Sequence, residues 1–390
     1  MNAPIVPTDR SADLPTRPDA GAPRTGDRTA APAAAGAGAA LLALLLLMTA
    51  LRPAPAAAQQ DMEDVEIEVT HVAGDVYLLE GRGGNIAVSA GSDGVVMVDD
   101  QFEELAPKIR AAVDTLADDG LAFVLNTHWH GDHVGGNVVF GRDAPIVAHD
   151  NVRRRLATRQ VVRGDTVPAE PEEALPVLTF DRSVTLHLNG GPIRVRHVPE
   201  GHTDGDAVVF FEDDRVVHMG DHMFAGRFPF VDLATGGSVQ GYTRNVAAVL
   251  DEIPDDWAVV PGHGPLTDVE GLRAFHDMLV ETTSIVRRRM ERGMSLEEVR
   301  EAGLPERWSS WGQGFISTGQ WLETVYRSLQ RSGDETARGG GAASGSPPWH
   351  PHGHPVASDR GGAHGHGDAP VGQADGDAGP HSGTRPSRPR

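Results

Sequence analysis

The 390-residue sequence contains no cysteine. That absence removes disulfides, thiolate-ligated zinc, iron–sulfur clusters and a thiol nucleophile together. Basic charge is also short, with 34 Lys and Arg against 55 Asp and Glu and a formal net charge of −21. A surface this acidic repels nucleic-acid phosphates and an anionic membrane face, so no nucleic-acid partner is expected. Branched aliphatics almost vanish after about Ser332, where Gly, Pro, Ser, Ala and His take over. Such a segment cannot bury enough surface to offset chain entropy, and residues 332–390 are read as a disordered tail. Its histidines, His350, His352, His354, His364, His366 and His381, are read as part of a solvated extension rather than as a metal store.

A long apolar run spans Ala33 to Leu51, followed by Pro53, Pro55 and the small residues Ala56, Ala57 and Ala58. It reads as the apolar core of a signal peptide with cleavage near Ala58, although it is about long enough to serve as an uncleaved anchor. With either outcome residues 59–331 are expected to be exported, periplasmic or extracellular, with membrane contact only if the leader stays attached.

The middle of the chain mixes short β-rich runs with helical stretches. Val76–Leu79, Ile86–Val88 and Val95–Val98, punctuated by glycines, predict an antiparallel meander. A helix over Glu103–Leu116 and a buried strand over Leu121–Leu125 follow. A second round repeats the plan, with a helix over Asn151–Arg159, strands over Val184–Leu188, Ile193–Val198, Ala207–Phe211 and Arg215–His218, and a helix over Val239–Leu250. A short strand, Ala258–Val260, and further helices to about Leu329 complete it. Two similar rounds predict an α+β domain of two sheets packed face to face with helices outside.

The chemistry concentrates after the strand at Leu121–Leu125. His128, Trp129, His130, Gly131, Asp132 and His133 place three imidazoles and a carboxylate within six residues. These are the nitrogen and oxygen ligands zinc takes when thiolate is unavailable. In an extended segment side chains two apart point the same way, so His128 and His130 suit one ion while a turn at Gly131 redirects Asp132 and His133 toward another. Three more candidates, His202, Asp221 and His263, each follow a glycine near the end of a strand. With Asp221 bridging, His128, His130 and His202 would hold one ion and Asp132, His133 and His263 the other.

In this order the ligand set resembles that of the metallo-β-lactamase superfamily, over roughly Asp64 to Leu329. The resemblance implies an αββα sandwich with the metals at one edge between the sheets, carrying here a helical C-terminal extension. In zinc β-lactamases a cysteine or serine often stands at the bridging position, whereas Asp221 makes this set more similar to the glyoxalase II-like hydrolases, which puts β-lactam turnover in doubt.

The expected activity is therefore dinuclear zinc hydrolysis of a small-molecule amide, ester, lactone or thioester, with iron or manganese admitted as metals. Two zinc ions ~3.5–4 Å apart would share a water, bring its pKa toward ~7 and present a bridging hydroxide, with Asp132 orienting it and taking its proton. Two alternatives stand beside this: a mononuclear iron sulfur dioxygenase of the same fold, and a non-catalytic metal-binding protein. Gly83-Gly84, Gly236-Gly237, Phe224, Arg227, Phe228 and Phe230 are candidates for loops over the site. Arg227 and His222 are candidate substrate contacts, but Arg227 would equally cap an apolar loop and His222 could instead orient a ligand, with a structural role the favoured reading for it. Asp99 and Asp100 would either support a ligand imidazole or cap the following helix. His71, His149, His187, His197, His218 and His276 are read as ordinary histidines.

Overall fold

The computed structural model describes residues 62–337. The expected leader and nearly all of the expected tail lie outside these residues, and among them no helix is long and apolar enough to cross a membrane.

The first sheet takes strands β1 (Glu68–Ala73), β2 (Val76–Glu80), β3 (Ile86–Gly91), β4 (Gly94–Val98), β5 (Leu121–Leu125), β6 (Ile146–His149) and β9 (Leu178–Phe180), in that spatial order. β1 to β4 form the expected antiparallel meander, and from β4 outward through β5, β6 and β9 the pairings are parallel. Between β6 and β9 the chain makes a separate hairpin of β7 (Gln160–Val162) and β8 (Asp165–Val167). The second sheet runs β10 (Ser183–Leu188), β11 (Gly191–His197), β12 (Ala207–Phe211), β13 (Val216–His218), β14 (Ala258–Val260) and β15 (Thr267–Asp268).

Every residue of β4 and of β12 is buried, which requires both faces of each sheet to be covered. Side chains on a strand alternate between faces, and here the two sets go to different places. Val96 and Val98 meet Val209 and Phe211 in the core between the sheets. Val95 and Met97 instead pack under helix α1 (Ala106–Val113) through Ala106 and Ile109. Two short turns, α2 (Gly131–Val134) and α3 (Asn137–Phe140), and helix α4 (Asp150–Leu156) follow on the same side of the chain's course. On the far face Val208 and Phe210 pack with helices α5 (Val239–Leu250), α6 (Val269–Glu291) and α8 (Thr318–Ala337). The result is the expected α+β sandwich of four layers with a helical C-terminal extension.

The extension is built by capping and by one apolar stripe per helix. Ser238 caps α5 by accepting from the Gly241 N–H, Asp268 caps α6 from Gly271 N–H, and α7 (Leu296–Glu301) opens with a Ser295–Glu298 capping box. Val239, Tyr242, Val246 and Val249, spaced three or four apart, form the buried face of α5. Trp321 of α8 donates its Nε1–H to Thr282 Oγ1 of α6 at 3.0 Å. At the other end of the fold, Lys108 on α1 donates to the carbonyls of Met62, Glu63 and Val65 and so fastens the first described turn.

Several boundaries differ from expectation, beginning with the helix expected over Glu103–Leu116, which is a 3-10 turn over Glu103–Leu105 and then α1, ending at Val113. The helix expected to reach Arg159 ends at Leu156, because Thr158 Oγ1 and Gln160 Nε2 take up the carbonyls of Arg154 and Arg155 at 2.8 and 3.0 Å. Gln160 then begins the hairpin, whose two-residue turn, Arg163-Gly164, has φ of 53° and 96°, the left-handed pair that matches strand twist. Finally, α8 continues past residue 331 to Ala337, where Ser332 is held by the Gln240 side chain at 3.2 Å.

Candidate metal centre

β5 ends at Leu125, the chain bends at Thr127 and His128, and it is extended at His130, with φ −70° and ψ 143°, before turning helical at Gly131. His128 therefore projects from a bend, His130 from extended backbone, and Asp132 and His133 from a helical turn. The onset of the turn, not the glycine itself, swings the second pair away: Gly131 has open space where a side chain would be. The remaining ligands come from the second sheet's loops. His202 follows β11, Asp221 sits in the one-turn helix Gly220–His222 after β13, and His263 follows β14.

Glycine is required here mostly by crowding. A side chain at Gly262 would strike the Asp221 carboxylate, and one at Gly84 would strike the His133 ring. Of the three glycines that precede a second-sheet ligand, Gly220 alone has positive φ, 49°.

These elements gather two groups, His128, His130, His202 and Asp221 in one and Asp132, His133 and His263 in the other, with the candidate ligand atoms of each within 4.8 Å of one another. His130 Nδ1 and His202 Nε2 are 2.8 Å apart. Asp221 lies between the groups and presents one oxygen to each. Its Oδ2 is 3.3 Å from His202 Nε2 and 3.7 Å from His128 Nε2, and its Oδ1 is 3.0 Å from His133 Nε2 and 3.3 Å from His263 Nε2. Asp132 Oδ2 completes the second group at 3.4 Å from His263 Nε2.

The donor chemistry fits divalent cations. His128 Nε2 and Asp221 Oδ1 are buried polar atoms with no well-directed hydrogen bond, an arrangement that costs on the order of 1–3 kcal/mol per atom unless a further partner binds. Burial holds His128 well below the ordinary histidine pKa and brings His202 to about 4, so both rings are neutral and keep a lone pair free. Burial also pulls on His263, but the Asp221 and Asp132 carboxylates outweigh it and raise its pKa to about 9. The same balance raises His133 and, in return, holds Asp132 at about 2.

A supporting shell fixes each ring. His133 Nδ1 is 2.7 Å from Asp99 Oδ2, and Asp99 also accepts from Thr127 N–H and Oγ1–H, both at 2.8 Å. Thr127 Oγ1 in turn lies 3.0 Å from His128 Nδ1. His202 Nδ1–H donates to the Phe230 carbonyl at 2.8 Å, and His130 Nε2 faces Asp232 Oδ2 at 3.3 Å. Tyr242 donates its hydroxyl to the Asp221 carbonyl at 2.6 Å. Of the two readings of the Asp99-Asp100 pair, Asp99 supports a ligand imidazole, and neither caps the helix that follows, which has no side-chain cap; Asp100 instead accepts from Gly136 N–H at 2.9 Å. Asp232, Tyr242 and Thr127 carry no spacing signal in the sequence, and their supporting roles become visible only in the fold.

A cavity of about 550 Å³ opens on both groups, with His130, Asp132, Asp221 and His263 on its wall together with Gly83, Phe224, Arg227 and Phe230. Arg227 thus sits where a substrate contact was expected. His222 does not: it is buried outside the cavity, stacked on Tyr242 at 4.8 Å, with Nε2 accepting from Asn245 at 3.1 Å. Its side chain supports the residue that holds Asp221, which corrects the expectation of substrate contact. Phe228 is corrected as well, for it is buried against Trp321 with ring centroids 5.7 Å apart. His218, His149 and His197 lie outside both groups, His218 bonded to the Asn85 carbonyl at 3.0 Å and the other two stacked on each other at 3.7 Å.

Comparison with known proteins adds to this geometry. The profile of the metallo-beta-lactamase superfamily matches residues 69–263. The chain is similar to the probable metallo-hydrolase YqgX of Bacillus subtilis, 31% identical over 154 residues that span 37% of this chain and 70% of that protein. It is also similar to a hydroxyacylglutathione hydrolase of Polaromonas, 31% identical over 144 residues, 36% of this chain and 47% of that protein. Among solved structures, a double mutant of the sec-alkyl sulfatase PisA1 superposes with a TM-score of 0.54 at 16% identity, covering 67% of this chain and 50% of that one, a likeness of fold alone.

Proposed function

Because the chain belongs to the metallo-β-lactamase superfamily and is a metal-dependent hydrolase, we propose that it works with two zinc ions and cleaves a small-molecule amide, ester, lactone or thioester. The observation that carries this reading is the two-sided carboxylate of Asp221, one oxygen turned to His128 and His202 and the other to His133 and His263. His128, His130 and His202 would hold one ion, Asp132, His133 and His263 the other, with Asp221 shared. Zinc bound there would supply Lewis acidity and a water acidified toward neutral pH.

The chain's own groups do the rest. Asp132 is ionised, partly exposed and on the cavity wall, so it is placed to orient the attacking water and take its proton. Asp99, Thr127 and Asp232 hold the imidazole rings in a single orientation, which keeps the ring nitrogens aimed at the centre. Arg227 lines the same cavity and makes no ion pair among the described residues, which suits it to meet a substrate carboxylate. Similarity to a hydroxyacylglutathione hydrolase supports placing thioesters early in a substrate panel. Asp221 at the bridging position supports placing β-lactams last. Export to the periplasm or beyond remains part of the proposal and rests on the apolar run Ala33–Leu51.

The test is metal analysis of the purified protein alongside hydrolysis of a thioester, a lactone, a phosphodiester and a carbapenem. About two zinc per chain, with turnover that Asp132→Ala abolishes, is the expected result. One iron per chain, no hydrolysis and oxygen uptake with a persulfide would replace this reading with the dioxygenase.

A further inference from the structure

The walls of the cavity carry information about the substrate that the metal ligands do not. Trp129, Leu156, Val162, Val167, Phe230 and Phe315 give it a largely apolar lining. Two of the charged side chains on that wall are already engaged. Arg155 is paired with Asp204 at 2.7 Å, and the Arg163 guanidinium lies 4.4 Å over the Phe315 ring. Arg227 is the cation on this wall that remains without an ion pair among the described residues, the wall's carboxylates are Asp132, Glu170 and Asp221, and the apolar lining between these charges suits a molecule with an apolar body.

The aromatic residues also form a continuous path. Phe230 packs against the rings of His130 and His202 at 5.7 and 5.8 Å, and Phe315 stands edge-on to Phe230 at 6.5 Å. Phe315 is 63% exposed, so the path leads from the metal ligands to solvent. Its outer end is covered from two sides. Arg163 comes from the turn of the β7–β8 hairpin, and Phe315 from the segment just before α8, fastened to the site by the Phe228 N–H bond to the Trp311 carbonyl at 3.0 Å. Phe315 lies beyond residues 69–263, which the superfamily profile matches, so this end of the cavity is supplied by the chain's own extension.

We propose that this cavity is an acyl-group site, and that the substrate is an ester or thioester whose extended apolar acyl chain lies along Phe230 and under the Arg163–Phe315 pair with its carbonyl at the metal ligands. The proposal rests on the hydrolase reading for the position of the carbonyl, but the apolar site stands on the cavity alone. Hydrolysis adds water across the acyl bond, releasing a fatty acid and an alcohol or thiol, and needs no other reactant.

The experiment uses the zinc-loaded full chain and a series of acetyl, butyryl, hexanoyl and octanoyl thioesters of one thiol, together with octanoate binding to the chelator-treated protein by calorimetry. kcat/KM is expected to rise about fourfold per methylene until the cavity is filled. Phe315→Ala and Arg163→Ala, both at exposed turns, are expected to flatten that rise and to weaken octanoate binding. A flat series with no octanoate binding, in an enzyme that does cleave the acetyl thioester, overturns the acyl site and leaves the hydrolase standing. Octanoate binding that the two variants weaken, with no thioester, lactone, phosphodiester or carbapenem cleaved, keeps the acyl site and overturns the hydrolytic role proposed for it. A series that rises equally in both variants overturns the role of the Arg163–Phe315 pair.

Discussion

The two halves of the metal centre use the same kinds of ligand under different constraints. The side chains of His128, His130 and His202 are 1, 9 and 0% exposed. In the other half His133 is 0% exposed, whereas His263 and Asp132 are 19 and 32% exposed and share the cavity wall with His130. The closed half is all imidazole, and burial keeps His128 and His202 neutral. The open half adds a carboxylate of its own, and with Asp221 that negative charge draws protons onto His133 and His263. One half is therefore ready for a cation, and the other must exchange protons for it. If both ions bind as proposed, the closed half would hold its metal the more firmly, and Asp132 of the open half would meet the attacking water.

The most disruptive way to break this comparison is Asp221→Ala, which removes the carboxylate both halves share. It is expected to lower metal content in both and to cost on the order of 10³-fold or more in kcat/KM, checked by elemental analysis and steady-state kinetics. Asp132→Asn should separate the halves instead, lowering kcat by about 10²–10⁴-fold while the closed half keeps its ion.

Proton competition sharpens the contrast. With His133 raised and His263 at about 9, uptake of an ion by the open half displaces up to two protons at lower pH, so its affinity should climb up to about 100-fold per pH unit until the rings are neutral. With His128 held low and His202 at about 4, these two rings release no proton near neutral pH, and the closed half should show the shallower profile. Competition titrations against a chelator at several pH values read both. The linked stability effect has a definite sign. A pKa raised by folding contributes stability that is complete below about 6.5, so the chelator-treated protein should lose the His263 contribution as pH rises through about 9, followed by denaturant melts. The smallest effects separate the supporting carboxylates. Asp99→Asn, at 2.7 Å from His133, should cost the open half about 10–100-fold in metal affinity, and Asp232→Asn, at 3.3 Å from His130, should act on the closed half at the lower end of that range.

Sequence reading went furthest where chemistry is contiguous or periodic. His128 to His133 announce a metal loop because their spacing has few other uses, and β2 to β5, β12 and α5 follow from plain runs and stripes of apolar residues. It stopped at pairs made by the fold. Asp232 reaches His130 across 102 positions, and no local pattern marks it. The β7–β8 hairpin has three-residue strands directly after an arginine-rich helix, too short for a period of two to register. Phe315 looks like any loop aromatic until the Arg163 turn is seen above it. His222, beside a metal ligand in sequence, turned out to face the other way, because one step along a turn points a side chain to a different side.

Lys108 is the sole lysine in the sequence, and its ammonium is inserted among the backbone carbonyls of Met62, Glu63 and Val65. An amine-directed reagent such as a succinimidyl ester therefore finds one side-chain target in this chain, and it reacts there only when that first turn lifts away. The acylation rate of a single residue becomes a local clock for the opening of the amino-terminal edge, read by mass spectrometry without any engineered label.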